Sequence, residues 1–325
     1  MHRLDVEAIS RAQYWLKRHT IWLCTVLSTY GSSPRSPGTM MVINDAGQHV
    51  GSLSGGCVEE DFLQRISSGQ FEQESQKVIY GDGGLTPNRA LPCGGILSIL
   101  VERLTDSTIN RLYLNNLEMA LLGSKTLSKK ITLPHACSAL TETAYSSITN
   151  IIESGDTIVL SIAAAPQLVI AGLSEVALAC ASFSVSLGFQ TVICEARDET
   201  LDNYRKRLPE DVILHETFPA KWLEENSQHK CRAIVSLTHD PRIDDLTLME
   251  AVNSSAFYIG AMGSDKNSKS RINRLRSIGG LTDIELSRIH APIGIDINSK
   301  TPAEIAISIL ADIVKTKNSN DFARI

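Results

Sequence analysis

The chain is long enough for two domains and carries no excess of positive charge. It has 325 residues, of which 21% are charged, and a formal net charge of −5 at pH 7. We therefore expect no large basic surface for nucleic acid or for an anionic membrane. Seven cysteines, with no signal-peptide pattern and no apolar run of membrane-spanning length, predict a cytoplasmic protein with free thiols and no membrane insertion.

The first half of the chain predicts an α+β domain, which we place at residues 1–157. Apolar residues at helical spacing predict helices over 4–18, 58–68 and 107–122. Short apolar runs bounded by turn residues predict strands over 21–27, 40–43, 49–53, 77–80 and 96–102. The polar stretch that follows the third of these helices, up to residue 155, is predicted to be less regular.

Two cysteines in this half stand beside glycine pairs. One pair directly precedes Cys57, at the predicted start of a helix, and the other directly follows Cys93. The positive end of a helix lowers the pKa of a thiol, and glycines let a ligand approach the main chain closely. A single cysteine in such a turn is more often a small buried apolar residue. Two such settings in one domain indicate a shared site.

The second half predicts a Rossmann-like, doubly wound parallel sheet, which we place at residues 158–325. Predicted strands over 157–163, 167–171, 190–194, 231–237 and 256–259 alternate with helices over 176–187 and 241–252. Thr301, Pro302 and Glu304 form a capping-box pattern that marks the start of the last helix.

The loop after strand 167–171 departs from the dinucleotide-binding pattern G-x-G-x-x-G. Ser174 replaces the glycine that lets the backbone reach a pyrophosphate, and Glu175 adds a negative charge. Glu195 ends the next strand at the spacing of a ribose-binding acid. We expect a Rossmann-like scaffold with a degraded nucleotide site, and NAD(P) is not the favoured cofactor.

Three further loops at predicted strand ends carry candidate ligand contacts: His239 and Asp240, then Gly260, Gly263 and Ser264, then His290. Ligands of open α/β sheets bind at the carboxyl ends of the strands, and the glycines with a helix start can hold a phosphate. Each loop also has a simpler structural explanation. His239 and Asp240 can form and cap a turn. The helix predicted to begin near Ser264 carries Lys266, Lys269, Arg271, Arg274 and Arg276, which can be a solvated face. His290 can be a hydrogen-bonded turn residue.

Six separated motifs together resemble the xanthine dehydrogenase accessory protein family (XdhC/CoxI). They are Gly31-Ser32-Ser33-Pro34-Arg35, the segment 51–59, Pro92-Cys93-Gly94-Gly95, Thr238-His239-Asp240, the segment 258–264 and the segment 289–296. They cover nearly the whole chain in the family's order. One departure is Gly172-Leu173-Ser174-Glu175, where family members usually have Gly-Ala-Gly-His, and it weakens a nicotinamide role further.

The resemblance implies a protein that binds molybdenum cofactor and protects it during sulfuration by a cysteine desulfurase. It also implies delivery of the cofactor to a xanthine dehydrogenase-type molybdenum hydroxylase, an enzyme of purine catabolism. Such a protein is a cofactor-insertion chaperone more than a catalyst, and a homodimer is compatible with this role.

The expected cofactor contacts extend over both halves of the chain. Cys57 is the first choice for a contact to the molybdenum or its sulfur, and Cys93 is the second. The other expected contacts are Gly55, Gly56, Gly94, Gly95, Arg35, His239, Asp240, Gly260, Gly263, Ser264 and His290. The alternatives are a Rossmann-type NAD(P)-dependent oxidoreductase and a sulfurtransferase that carries a persulfide on Cys57. Bound molybdopterin or bound nicotinamide in the isolated protein would distinguish them.

Overall fold

The chain divides into two units, each with cores of its own. The computed structural model describes residues 2–30, 35–54, 58–81, 84–85, 95–137, 139–143, 149–229 and 231–322. Residues 1–164 form the first unit and residues 165–325 the second. The sequence placed the division between residues 157 and 158, whereas the observed division follows the strand that begins at Thr157.

The first unit contains three described helices and two antiparallel sheets. The helices are α1 (His2–Leu16), α2 (Glu59–Ser67) and α3 (Thr108–Leu121). The strands are β1 (Ile21–Tyr30), β2 (Met40–Asn44), β3 (His49–Gly51), β4 (Ser75–Tyr80), β5 (Ile96–Leu104), β6 (Leu127–Thr132), β7 (Ala139–Glu142), β8 (Ile151–Ser154) and β9 (Thr157–Ser161). They pair in the orders β3-β2-β1-β5-β4 and β7-β6-β9-β8.

Strand β1 is buried on both faces, which explains its continuous apolar sequence. Ile21 and Leu23 pack into one core with α1, α3 and strands of both sheets. Trp22 and Cys24 point the other way, into a second core that includes the apolar side of α2. Because side chains alternate along a strand, a strand in this position needs apolar residues at successive positions.

The polar stretch before residue 155 was predicted to be irregular, and this prediction was wrong. It holds β6, β7 and β8, and β9 pairs antiparallel with β6 and β8. The pattern was obscured because Lys129 occupies an inward position of β6. The Lys129 side chain is fully buried, and its Nζ lies 2.5 Å from Glu102 Oε2. A strand can therefore keep its alternation of buried and exposed positions while losing its apolar signature.

The second unit is the predicted doubly wound parallel sheet. Its strands are β10 (Gln167–Ala171), β11 (Gln190–Cys194), β12 (Ile213–His215), β13 (Arg232–Ser236), β14 (Tyr258–Ala261) and β15 (Ile289–His290). Its helices are α4 (Glu175–Ser186), α5 (Asp198–Tyr204), α6 (Pro219–Glu225), α7 (Pro241–Ala251), α8 (Asp265–Ser277), α9 (Asp283–Ser287) and α10 (Pro302–Phe322). The strands pair in parallel in the order β12-β11-β10-β13-β14-β15.

Helices cover both faces of this sheet. Apolar residues of α4 and α10 form a core on one face, and residues of α6, α7 and α8 form a core on the other. The predicted capping box of α10 is present, since Glu304 Oε2 accepts from the Thr301 N–H at 2.9 Å and Thr301 Oγ1 accepts from the Glu304 N–H at 3.3 Å. Within the described ranges, no helix is long and apolar enough to cross a membrane.

Candidate functional site

The carboxyl ends of β10 and β13 meet at the point where the order of the sheet reverses. Strands β11 and β12 extend the sheet on one side of β10, and β13, β14 and β15 extend it on the other. In open α/β sheets this switch point is the usual place for a ligand. The loop after β10 and the loop after β13 approach each other very closely here, since a methyl group on Gly172 would lie 2.4 Å from Thr238 Cγ2. Gly172 also has a φ of +90°, which favours glycine.

The loop after β10 uses its polar groups within the protein. Glu195 is 1% exposed, and its Oε2 accepts from the Leu173 N–H at 2.9 Å. Burial raises the pKa of the Glu195 carboxyl, but hydrogen bonds from Arg197 and Leu173 lower it below its ordinary value. Ser174 Oγ caps α4 by accepting from the Ala177 N–H. The acid whose spacing suggested a ribose contact therefore holds the glycine loop instead.

The sequence suggested that the negative charge of Glu175 would repel a phosphate, but in the structure this side chain is paired with an arginine. Its carboxylate is exposed and forms two hydrogen bonds with Arg207, at 2.7 and 2.8 Å. The guanidinium of Arg207 thus balances the negative charge of Glu175 at the surface, where α4 begins. The sequence could not show this ion pair, because Arg207 comes after β11 and α5, far from Glu175 in the chain.

Asp244 connects three parts of the carboxyl edge. This carboxylate is 1% exposed, and its Oδ1 accepts from Ser236 Oγ and from Thr238 Oγ1, both at 2.6 Å. Its Oδ2 accepts from Arg271 Nη2 at 3.0 Å, which ties α8 to the end of β13. The four side chains form a buried polar network that fixes the loop carrying His239 and Asp240.

His239 is exposed at the switch point in an unusual backbone conformation. Its φ is +61°, a value that non-glycine residues seldom adopt and that clusters at functional sites. The turn is held because Thr238 Oγ1 accepts from the Asp240 N–H at 2.9 Å. Asp240 in turn caps α7, and hydrogen bonds from Arg242 lower the pKa of its carboxyl to about 2. These bonds match the simpler structural explanation for the pair, and a ligand role for either residue stays a prediction.

Gly260, within β14, and Gly263, after it, have different surroundings. Gly260 is buried, and a methyl group there would lie 2.5 Å from Ile293 Cδ1. Gly263 is half-buried, and the nearest contacts of a methyl group there begin at 3.4 Å. Ser264 is exposed and caps α8, with its Oγ accepting from the Asn267 N–H at 3.3 Å. Of the two glycines, Gly263 is the one with room beside it.

His290 lies at the end of β15 and is oriented by a carboxylate from the last helix. Its Nδ1 is 3.2 Å from Asp312 Oδ2, and Tyr258 donates its hydroxyl to the same oxygen at 2.8 Å. The rings of Tyr258 and His290 lie 4.2 Å apart. Burial, with the Asp312 carboxylate, raises the pKa of the Tyr258 hydroxyl. Sequence reasoning missed Tyr258 and Asp312, because the three residues come from three separate elements.

In the first unit, five of the predicted contacts fall outside the described residues, namely Gly55, Gly56, Cys57, Cys93 and Gly94. Two others are described. Gly95 stands where a methyl group would lie 2.4 Å from the carbonyl oxygen of Tyr30, so the backbones of β1 and β5 approach closely there. Arg35 is half-buried before β2.

Glu59 organises the chain on both sides of the segment 55–57. Its carboxylate accepts hydrogen bonds of 2.6 to 3.2 Å from the hydroxyls of Ser52 and Ser54 and from the N–H groups of Leu53, Ser54 and Val58. Burial raises the pKa of the Glu59 carboxyl, but the bonds from the two serines and the backbone lower it to about 2. Sequence reasoning quoted Glu59 within a motif but gave it no role.

The described residues contain no group of three or more His, Cys, Asp or Glu side chains suited to hold a metal ion. The described cysteines, Cys24, Cys137, Cys180, Cys194 and Cys231, are all free thiols.

An α+β unit followed by a parallel sheet with helices on both faces defines a two-domain protein with a Rossmann-type second domain. Residues 15–81 match the model of the XdhC and CoxI family, and residues 168–313 match the model of the XdhC Rossmann domain. This chain belongs to the XdhC and CoxI family, as its sequence motifs indicated.

Two curated relatives match along most of their length. One is named as a probable xanthine dehydrogenase subunit of Bacillus subtilis, 24% identical over 91% of this chain and 92% of the relative. The other is the molybdenum cofactor insertion chaperone PaoD of Escherichia coli, 25% identical over 91% of this chain and 83% of the relative. A solved structure from Bacillus halodurans, titled a xanthine dehydrogenase, has the same fold, with a TM-score of 0.70, 23% identity, and coverage of 97% of this chain and 96% of that one.

Proposed function

We propose that this protein is a cytoplasmic chaperone that binds molybdenum cofactor and inserts it into a xanthine dehydrogenase-type molybdenum hydroxylase. The observation that carries the proposal is the similarity, over 91% of the chain, to a molybdenum cofactor insertion chaperone, in a chain that has both family domains. Protection of the cofactor during sulfuration by a cysteine desulfurase belongs to the same proposal.

The residues fit different parts of the cofactor. Molybdenum and its sulfur ligands are soft, so a thiolate is the suitable contact, and Cys57 with Cys93 would supply it. Gly55, Gly56, Gly94 and Gly95 stand beside these cysteines in the sequence, and Arg35 belongs to a separate motif before β2. The bound cofactor supplies the redox-active metal centre to the client enzyme. This chain's own part is to hold, shield and release it.

The second unit offers groups for the polar end of the cofactor. His239 and Asp240 lie at the switch point, His290 is oriented by Asp312, and Ser264 caps a helix at the same edge of the sheet as Gly260 and Gly263. Hydrogen-bond donors and a helix N-terminus at one edge suit a phosphate-bearing ligand. This support comes from the second unit alone.

The oxidoreductase alternative has less support. A dinucleotide in its usual place needs free N–H groups in the loop after the first strand. The Leu173 N–H is instead bound by Glu195, and Ser174 Oγ caps α4. Nothing in the described residues favours a persulfide-carrying sulfurtransferase over a chaperone.

The experiment measures cofactor retention in protein isolated from a host that makes molybdenum cofactor. Molybdenum per chain is measured by mass spectrometry, and pterin by the fluorescence of its oxidised form. We expect Cys57→Ala to lower both strongly and Cys93→Ala to lower them less. Cys180→Ala is the matched control, because Cys180 is a buried core residue of α4. Unchanged molybdenum and pterin in Cys57→Ala would refute the proposed site.

A further inference from the structure

Helices α6 and α7 border an open groove on the face of the parallel sheet opposite α4 and α10. The groove encloses about 440 Å³, and its walls come from the start and the outer side of α6, from α7 and from the turn after α8. Pockets that take up ligands usually measure about 300 to 1,000 Å³. The groove therefore has room for more than one side chain of an occupant.

One side of α7 forms a wall of this groove. Leu246, Met249, Glu250 and Asn253 all line it, and their spacing of three, four and seven residues places them on one face of the helix. Leu248 lies in the core instead. Helix α7 therefore has two apolar faces, of which the core covers one.

The turn after α8 closes one end of the groove. A methyl group on Gly279 would lie 2.6 Å from Leu275 O and 3.2 Å from Met249 Sδ, so the chain passes α7 at close range there. Leu281 follows in the wall of the groove, and its N–H donates to Leu275 O at 3.1 Å. Because main-chain contacts fix this turn, the groove is formed before any occupant arrives.

The apolar side chains of the groove are accessible to solvent. Leu246 is 49% exposed, and Phe218, Met249 and Leu281 are half-buried. Ile278, directly after α8, is 83% exposed. Single exposed apolar residues are common on protein surfaces, but several around one concave surface mark an interaction site. A methionine among them adapts its shape to an apolar partner.

The charges of the groove favour a cationic occupant. Among the residues that the structure describes, neither Glu224 nor Glu250 has a side-chain hydrogen bond or an ion pair, although both line the groove. Lys221 also lines it, but its Nζ lies 3.8 Å from Glu225 Oε1 on the same helix. The two arginines in the last turn of α8 are paired with carboxylates as well. The groove therefore combines an apolar surface with unbalanced negative charge.

We propose that the groove between α6 and α7 binds a segment of a partner protein that places apolar side chains against Leu246 and Met249 and a lysine or arginine near Glu224 and Glu250. Amphipathic segments bind such grooves through apolar residues three or four positions apart, and complementary charge selects the partner. A nucleic acid or an anionic membrane would meet like charge here. The proposal goes beyond the proposed function, because the groove contains none of the expected cofactor contacts.

The test uses the full chain and, as the probe, a phage-displayed library of random peptides of about 12 residues, or about three helical turns. We expect selection to enrich peptides that carry apolar residues three or four positions apart beside lysine or arginine. An enriched peptide is then synthesised with a fluorescent label, and its affinity is measured by fluorescence anisotropy. We expect a dissociation constant of about 1 to 100 µM.

Leu246→Ser removes apolar surface from the groove. We expect this variant to bind the selected peptide at least about tenfold more weakly, because a buried apolar contact is lost. Leu187→Ser is the matched control, since Leu187 is 51% exposed and follows α4, on the other face of the sheet. It should bind the peptide like the parent. Both leucines are exposed, so both variants should melt close to the parent.

A charge reversal tests the carboxylates directly. The double variant Glu224→Lys, Glu250→Lys should bind the selected peptide about fivefold more weakly, because each surface ion pair contributes little. The same variant should bind a peptide with glutamate in place of each lysine and arginine more tightly than the parent does. Damage to the fold would weaken the binding of both peptides, so the exchange separates the two causes.

Four results would overturn the proposal. They are the absence of any enriched peptide, the enrichment of acidic peptides, equal affinities in Leu246→Ser and the parent, and no gain for the acidic peptide in the double variant. A dimer in analytical ultracentrifugation that Leu246→Ser dissociates would also overturn it, because the groove would then hold a second copy of this chain. None of these results depends on cofactor retention in Cys57→Ala.

Discussion

Glu59 is a single carboxylate that holds together two segments of chain flanking residues 55–57. Because its folded pKa, about 2, is below its ordinary value of 4.5, the ionised form stabilises the fold. That contribution is complete above pH 4.5 and is lost as the pH falls towards 2. We expect Glu59→Gln to lower the free energy of unfolding by about 2 to 3 kcal/mol at pH 7. Urea denaturation measures this loss.

The neighbouring Glu60 provides the control for this prediction. It is exposed in the first turn of the same helix, so Glu60→Gln removes the same charge. We expect a smaller loss for Glu60→Gln than for Glu59→Gln, because the side chain of Glu60 is exposed whereas that of Glu59 is buried. The difference between Glu59→Gln and the parent should also shrink at about pH 3. If the two variants are equally stable at pH 7, the carboxylate of Glu59 does not hold the loop.

Sequence patterns identified single residues well where their partners are local. Thr301 caps the last helix as its capping-box pattern predicted, because a cap and its helix are adjacent in the chain. Sequence patterns did not reveal contacts whose two residues come from distant elements. Asp312 reaches His290 from the last helix, and Arg207 reaches Glu175 from another loop. No spacing in the sequence reports such contacts.

At the scale of elements, the turn between β10 and α4 makes a prediction about nucleotides. Its Leu173 N–H is bound to Glu195, Ser174 Oγ caps the helix, and Gly172 is crowded by Thr238. We therefore expect no binding of NAD⁺, NADH or NADP⁺ tighter than about millimolar, or about −4 kcal/mol. Titration calorimetry measures it. A micromolar dissociation constant would restore the oxidoreductase interpretation.

Elements were predictable from sequence where the apolar pattern is continuous or regularly spaced. Strand β1 over most of its length and strands β10 and β13 are buried on both faces and have continuous apolar sequences, whereas β12 is partly exposed and was not predicted. Strands β7 and β8 are short and lack fully buried positions, and β6 carries Lys129 inside. Their pairing depends on tertiary contacts that periodicity does not record. For the candidate site, the sequence indicated loops at the strand ends, but it could not identify the Asp244 network, whose members come from β13, the loop after it, α7 and α8.

At the scale of the whole chain, the cores predict where it can be cut. The described hydrophobic cores draw their buried residues from one unit each. We expect fragments 1–164 and 165–325 to unfold cooperatively on their own. A fragment 1–157 should be far less stable, because it lacks β9, whose Ile158 and Leu160 are buried and which pairs with β6 and β8.

Thermal denaturation followed by circular dichroism compares the fragments. A fragment 1–157 as stable as 1–164 would show that β9 is dispensable, and the division would then lie where the sequence placed it. A fragment 165–325 without a cooperative transition would show that the second unit depends on the first.

The buried network around Asp244 has an evolutionary consequence. One carboxylate satisfies Thr238 beside the switch point and Arg271 in α8 at the same time. A substitution at any of the three positions leaves a buried polar or charged partner unsatisfied, so single changes are costly and their effects are not additive. Positions 238, 244 and 271 should therefore vary together among relatives, and a lineage that replaces Arg271 should also have replaced Asp244.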